Sequence, residues 1–215
     1  MVKPFLFKRI VLAGEKMDVT DLEDLIPEEI SGICGLLAPF VAYVFITISI
    51  LINRSWFNWA DYALSHLGES GTPYNYVFNA GLIITGILGI IFLFGMIQFV
   101  EDWTGYYGLA FLGAGMVFLI LVGVFPMGRG PHFWVSVLFF VTSLSGITAF
   151  GVDQIWDLVE PVWGTFILSS VVLSIAMVGL ITTIPYEIGA AIPEFIGTIP
   201  IMQFVLVFSA RMYLE

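Results

Sequence analysis

The sequence predicts an all-α fold, an integral membrane six-helix transmembrane bundle. Two observations carry this. The 215-residue chain is 59% hydrophobic and only 11% charged, with a mean hydropathy of +1.00, whereas average soluble domains carry roughly 25% charged residues. Six apolar runs also approach the ~20 residues that a bilayer-crossing helix needs. Such a composition excludes an ordinary soluble enzyme, a disordered chain and a secreted disulfide scaffold. The net charge of -10 argues against a nucleic-acid partner. The single cysteine, Cys34, cannot form an intrachain disulfide.

The spans follow in order. Residues 1–29 form an N-terminal segment. In it, Phe5, Leu6, Ile10 and Val11 suit one side of a short interfacial helix, with Lys3, Lys8, Arg9 and Lys16 at the headgroups. A basic tail without fixed structure is the competing reading. Lys8 and Arg9 interrupt the first apolar run, so no cleavable signal peptide is expected. Thr20 to Glu23 resembles a capping box. The six-span domain occupies residues 30–215. Its first span, Ile30 to Ile52, is entered through Pro27, Glu28 and Glu29, residue types that suit a helix N-terminus. Tyr76 to Val100 is the second, Tyr107 to Phe125 the third and His132 to Phe150 the fourth. Pro161 starts and Pro185 stops the fifth, Val162 to Ile184. The sixth, Ile196 to Ala210, is short and carries Pro200, so a kinked, tilted or re-entrant segment is expected.

Lysine and arginine bias sets orientation. With six spans, five bases (Lys3, Lys8, Arg9, Lys16, Arg211) share one side, and Arg54 and Arg129 lie on the other. Both termini are therefore expected in the cytoplasm, with the chain multi-pass in the cell membrane and membrane lipids its partners. The same topology leaves four acids outside. Glu101, Asp102, Asp153, Asp157 and Glu160 fall on short cytoplasmic turns, expected as solvated faces. Gly81, Thr85 and Gly89 make a small-residue row of the kind that lets helices approach closely, within the bundle or against a second copy.

Polar chemistry collects on the external side. In the first external loop, Trp56, Trp59, Ala60, Ala63, Leu64 and Leu67 recur at helical spacing. A short interfacial helix follows from that spacing, ended by Gly68 and presenting Asn58, Asp61, Tyr62, Ser65 and His66 as a polar row. Paired tryptophans suit the membrane boundary. Asn79 sits one turn inside the second span, His132 opens the fourth with Ser136 one turn deeper, and Glu187 lies in the third external loop. The candidate catalytic residues are Asp61, Ser65, His66 and His132. The candidate substrate-binding residues are Asn58, Tyr62, Asn79, Ser136 and Glu187.

Several readings compete for these residues. A hydrolase would use Ser65 or Ser136 as nucleophile, a histidine as base and Asp61 to orient it. A metal site would gather His66 and His132 with Asp61, Glu69 or Glu187. Zinc is then the ion the donors admit, although the spacing matches no zinc motif. Haem ligation by the two histidines fits poorly, because His66 lies in a loop. Plain hydrogen bonds and ion pairs that tie the loops together are the structural alternative.

The order of short motifs adds a resemblance. Leu64-Ser65-His66-Leu67-Gly68 follows the first span, and Phe78-Asn79-Ala80-Gly81 opens the second. Gly123-Val124-Phe125-Pro126 closes the third, and His132 precedes Phe139-Phe140 in the fourth. Together these resemble the domain of unknown function 998 family of small six-helix membrane proteins. The resemblance implies that fold, supplies no reaction, and nominates Ser65, Asn79, Pro126 and His132 as shared residues. Members commonly have Ser-Asp-Leu-Gly-like residues where this chain has Ser65-His66-Leu67-Gly68.

The leading expectation is binding or processing of a lipid or other amphiphile at the external polar cluster. A transporter or channel subunit is the alternative, and predicts a cavity reaching midplane residues such as Ser143, Ser170 or Gln203. A non-catalytic scaffold is the third, with the Gly81, Thr85 and Gly89 face turned to a partner.

Overall fold

A computed structural model describes residues 9–12, 15–18, 26–100, 102–156, 161–183 and 189–214. Six helices are long and apolar enough to cross a membrane, and the protein is a polytopic membrane protein. Helix α1 spans Glu28–Ile52, α2 Asn75–Met96, α3 Trp103–Val124, α4 His132–Trp156, α5 Pro161–Thr182 and α6 Ala191–Leu214. Alternating crossings put the α1–α2, α3–α4 and α5–α6 connections at one end, called here the loop end. The opposite end carries the start of α1 and the finish of α6.

Near the N-terminus, Arg9–Leu12 (β1) pairs antiparallel with Glu15–Asp18 (β2), with Ile10 opposite Met17. The stretch read as an interfacial helix thus ends in a hairpin strand at Ile10 and Val11. Strand-to-strand hydrogen bonds take the place of helical ones there. The Thr20–Glu23 capping box lies outside the described residues.

Helix boundaries differ from the sequence reading mainly at the ends. Helix α6 is a full 24-residue helix, not a short segment, and it runs through Pro200. The added turns are Ala191–Phe195, with Pro193 and Glu194 suited to a first turn, and Arg211–Leu214 at the other end. Helix α4 runs on to Trp156 and buries Asp153, which had been expected on a solvated turn. Gln154 Nε2 donates to Asp153 Oδ2 at 3.5 Å.

Small residues set the closest crossings. Gly108 on α3 faces Gly146 on α4. A Cβ on Gly146 would stand 2.6 Å from the Gly108 carbonyl oxygen and 2.7 Å from the Leu112 nitrogen. Where burial of apolar area gives helices little drive to associate, such backbone approach supplies the packing. The row on α2 is used the same way: Gly81 meets Phe45 of α1, and Gly89 meets Met116 of α3. Thr85 donates to the Ala38 carbonyl at 3.5 Å. This face is covered by the chain's own helices. Phe92, Phe150, Phe204 and Phe208 form the buried aromatic centre toward the terminal end.

Candidate functional site at the loop end

The first loop is not the helix that its apolar spacing suggests. Asn58 Oδ1 accepts the backbone N–H groups of Ala60 (3.0 Å) and Asp61 (2.9 Å). A side chain that offers the backbone this local alternative competes with helix formation. The carbonyls of Ala60 and Tyr62 then accept the N–H groups of Gly189 and Ala191, the latter at 2.9 Å. Only Leu64–Gly68 winds up, as a turn of 3-10 helix. The first and third connections of the loop end are thereby laced together by backbone hydrogen bonds.

This lacing separates the polar row. Asp61 is exposed and takes the Asn58 side-chain amide at 2.8 Å. Ser65, flanked by buried Leu64 and Leu67, turns into the bundle. Its hydroxyl lies 3.3 Å from Glu194 Oε1 and 3.4 Å from Met127 Sδ. The Leu64 N–H donates to Glu194 Oε2 at 2.7 Å. One carboxylate on the first turn of α6 therefore holds the first loop through the Leu64 and Ser65 N–H groups and the Ser65 hydroxyl. Glu194 is one of the four acids that the sequence topology leaves outside, and it stands just before the sixth apolar run. The usable signal was an acid in the first turn of a helix opened by Pro193.

The two histidines have separate partners. His66 Nδ1 accepts the Ala63 N–H at 3.0 Å, and the ring meets Tyr62 edge-on at 5.4 Å. A carboxylate at position 66 could accept the same N–H. His132 Nδ1 lies 2.8 Å from the Phe125 carbonyl. A carbonyl only accepts, so this nitrogen carries a proton; in the neutral ring Nε2 is then the acceptor facing the Ser136 hydroxyl at 3.4 Å. Asn79 Nδ2 donates to the Gly68 carbonyl at 3.0 Å and fixes the end of the 3-10 turn on α2. Glu187 lies outside the described residues. Among the described residues, no three His, Cys, Asp or Glu side chains gather closely enough to hold a metal ion.

Beneath Ser65 and Glu194 lies a cavity of about 80 Å³. One water needs roughly 10–15 Å³ on this measure. Its walls are mostly apolar, supplied by α1 (Ala42, Ile46), α2 (Phe78, Leu82), α3 (Leu119, Val122), α4 (Phe139, Phe140) and α6 (Met202). Ser65, Ser136, Thr85, Thr198, Tyr43 and Glu194 add polar atoms. From Glu194 to Met202 the cavity follows α6 for about 12 Å at 1.5 Å per residue. That approaches half of a hydrocarbon core roughly 30 Å thick. Ser143, Ser170 and Gln203 are not among its walls. Ser143 packs on Gly115 and Ser170 bonds to the Ile167 carbonyl of its own helix.

A family model described as "Protein of unknown function (DUF998)" matches residues 36–211. The chain belongs to the DUF998 family. The matched range includes every residue that lines the cavity, Glu194 among them, and leaves out strands β1 and β2. No curated protein and no solved structure matches the chain.

Proposed function

We propose that this DUF998 protein binds a lipid or other single-chain amphiphile at the loop end. The apolar chain lies in the cavity and the polar head meets Ser65 and Glu194. The observation that carries the reading is a carboxylate at one end of a mostly apolar cavity. Apolar cavities stay dry and accept apolar guests. An ionisable side chain that faces the interior of a membrane bundle marks a functional site by default, since it is expensive to keep there. Trp56, Trp59 and Tyr62 at the same end are the residue types that favour headgroup depth. The lysine and arginine bias supports cytoplasmic termini in the cell membrane, so the amphiphile enters from the extracytoplasmic leaflet.

The test is photolabelling of the purified protein in lipid nanodiscs with a diazirine-bearing dodecanol. Labelled peptides are expected to contain Phe78–Leu82, Phe139–Phe140 and Thr198–Met202. Labelling confined to the outward faces, such as Val172 and Leu173 on α5 (both exposed), contradicts the reading.

The His132–Ser136 contact favours a second reading, acyl transfer from a bound ester. Ser136 Oγ would attack the acyl carbon and pass its proton to His132 Nε2. The alcohol would leave with that proton, and water would then hydrolyse the acyl-serine. A fluorophosphonate probe should label Ser136 and should fail on Ser136→Ala. Absence of labelling on the wild-type protein removes this reading.

A further inference from the structure

We infer that the cavity selects an amphiphile with a cationic, hydrogen-bond-donating head, an aliphatic ammonium, against one with a phosphate or carboxylate head. This rests on the binding reading above and concerns the same site. Three observations converge on it.

First, the walls carry an acidic side chain and no basic one. Glu194 lines the cavity, and none of its walls among the described residues is lysine, arginine or histidine. The bases nearest in sequence to the loops, Arg54 and Arg129, are both exposed. An anionic head would be brought beside a carboxylate in a low-dielectric space with no cation to meet it, where like charges repel strongly. An ammonium head supplies the missing positive partner.

Second, donors that could hold an anion at Glu194 are already used. The Leu64 N–H and the Ser65 hydroxyl both point at Glu194. The protein's own carboxylate thus sits where an anionic head would have to bind. A carboxylate has about four acceptor positions, so the three bonds from the loop (the Leu64 and Ser65 N–H groups and the Ser65 hydroxyl) leave one position for a donor from a ligand.

Third, aromatic rings line the cavity or back its lining: Tyr43, Phe78, Phe139 and Phe140 are among the walls, and Phe195 and Trp59 stand behind Tyr43. Tyr43 lines the cavity and packs on Phe195 with ring centroids 5.7 Å apart, and Trp59 meets Phe195 edge-on at 5.7 Å. Aromatic faces next to a carboxylate form the environment that recognises ammonium groups.

The experiment is competition against the diazirine-dodecanol label, in nanodiscs, by n-dodecylamine, n-dodecanol and n-dodecyl phosphate. These share one chain and differ only at the head. Labelling of the outward face of α5 reports non-specific displacement and serves as the control. Dodecylamine is expected to suppress cavity labelling at concentrations on the order of tenfold lower than dodecyl phosphate. In Glu194→Gln its advantage over dodecanol should disappear. Dodecyl phosphate competing as well as the amine overturns the inference, as does an amine advantage that persists in Glu194→Gln. If the cavity is labelled and the amine has no advantage, only the headgroup assignment falls. If wild-type cavity peptides are never labelled, the binding reading falls and this one with it.

Discussion

Ser65 and Glu194 stand 129 residues apart in the chain, and the serine hydroxyl lies 3.3 Å from the Glu194 carboxylate. The contact joins the first loop to the first turn of α6 directly over the cavity. It therefore links two questions, how the loop end is held shut and what the space beneath it accepts.

Removing the carboxylate should loosen that closure. Glu194→Ala leaves the Leu64 N–H without its acceptor and the Ser65 hydroxyl with only the Met127 sulfur. An unsatisfied donor in such a place costs about 1–3 kcal/mol. The expected outcome is a lower thermal unfolding midpoint in detergent, with Glu194→Gln falling less because its amide oxygen still accepts one donor. Equal midpoints for Glu194→Ala and the wild type would show that the contact holds nothing.

The role of His66 is separable from the cavity. Its ring caps the Ala63 N–H and does not line the cavity. His66→Ala should cost about 0.5–1.5 kcal/mol. His66→Asp should recover most of that, since a carboxylate reaches back to the same N–H. Photolabelling of the cavity should be unchanged in both variants. A selective loss of labelling in His66→Ala would return this histidine to the binding site.

Packing at the α3–α4 crossing is predicted to be intolerant. Gly146→Ala pushes a methyl group against the backbone of α3 at Gly108 and Leu112, which cannot swing aside as a side chain could. Overpacking of this kind costs about 1–3 kcal/mol. Gly130→Ala, with nothing within 4 Å of its added Cβ, is the matched control. Unfolding midpoints of the two variants check the difference.

Filling the cavity should block it without touching the carboxylate. Ala42→Phe and Thr198→Leu each add apolar volume to the walls. Photolabelling should drop by on the order of tenfold if the guest loses about 1.4 kcal/mol of binding. Size-exclusion chromatography reports whether each variant remains folded. Full labelling in a folded, filled variant would place the guest elsewhere.

Hydropathy made the bundle legible because span length and apolar composition are local properties. Pro161 and His132 marked helix starts for the same reason. Helix α6 was underestimated because Pro193, Glu194 and Pro200 thin the apolar signal, while the membrane-spanning backbone still satisfies its own hydrogen bonds through them. The first loop was misread for a different reason. Trp56 to Leu67 has true helical spacing, yet Asn58 and the partner backbone at Gly189 and Ala191 offer the same groups better bonds. Ser65, Asn79, Ser136 and His132 were legible as polar residues at one level of the membrane. Glu194 and the cavity were not, because both depend on which residues five helices and a loop bring together.

The central claim is that an amphiphile chain occupies the space below Ser65 and Glu194. An electron cryo-microscopy map of the protein in lipid nanodiscs tests it most directly. The account predicts elongated density running from the Glu194 carboxylate to the level of Met202, with a head within hydrogen-bonding distance of Glu194. A map of the same quality in which this cavity is collapsed, or holds only discrete waters, would contradict it.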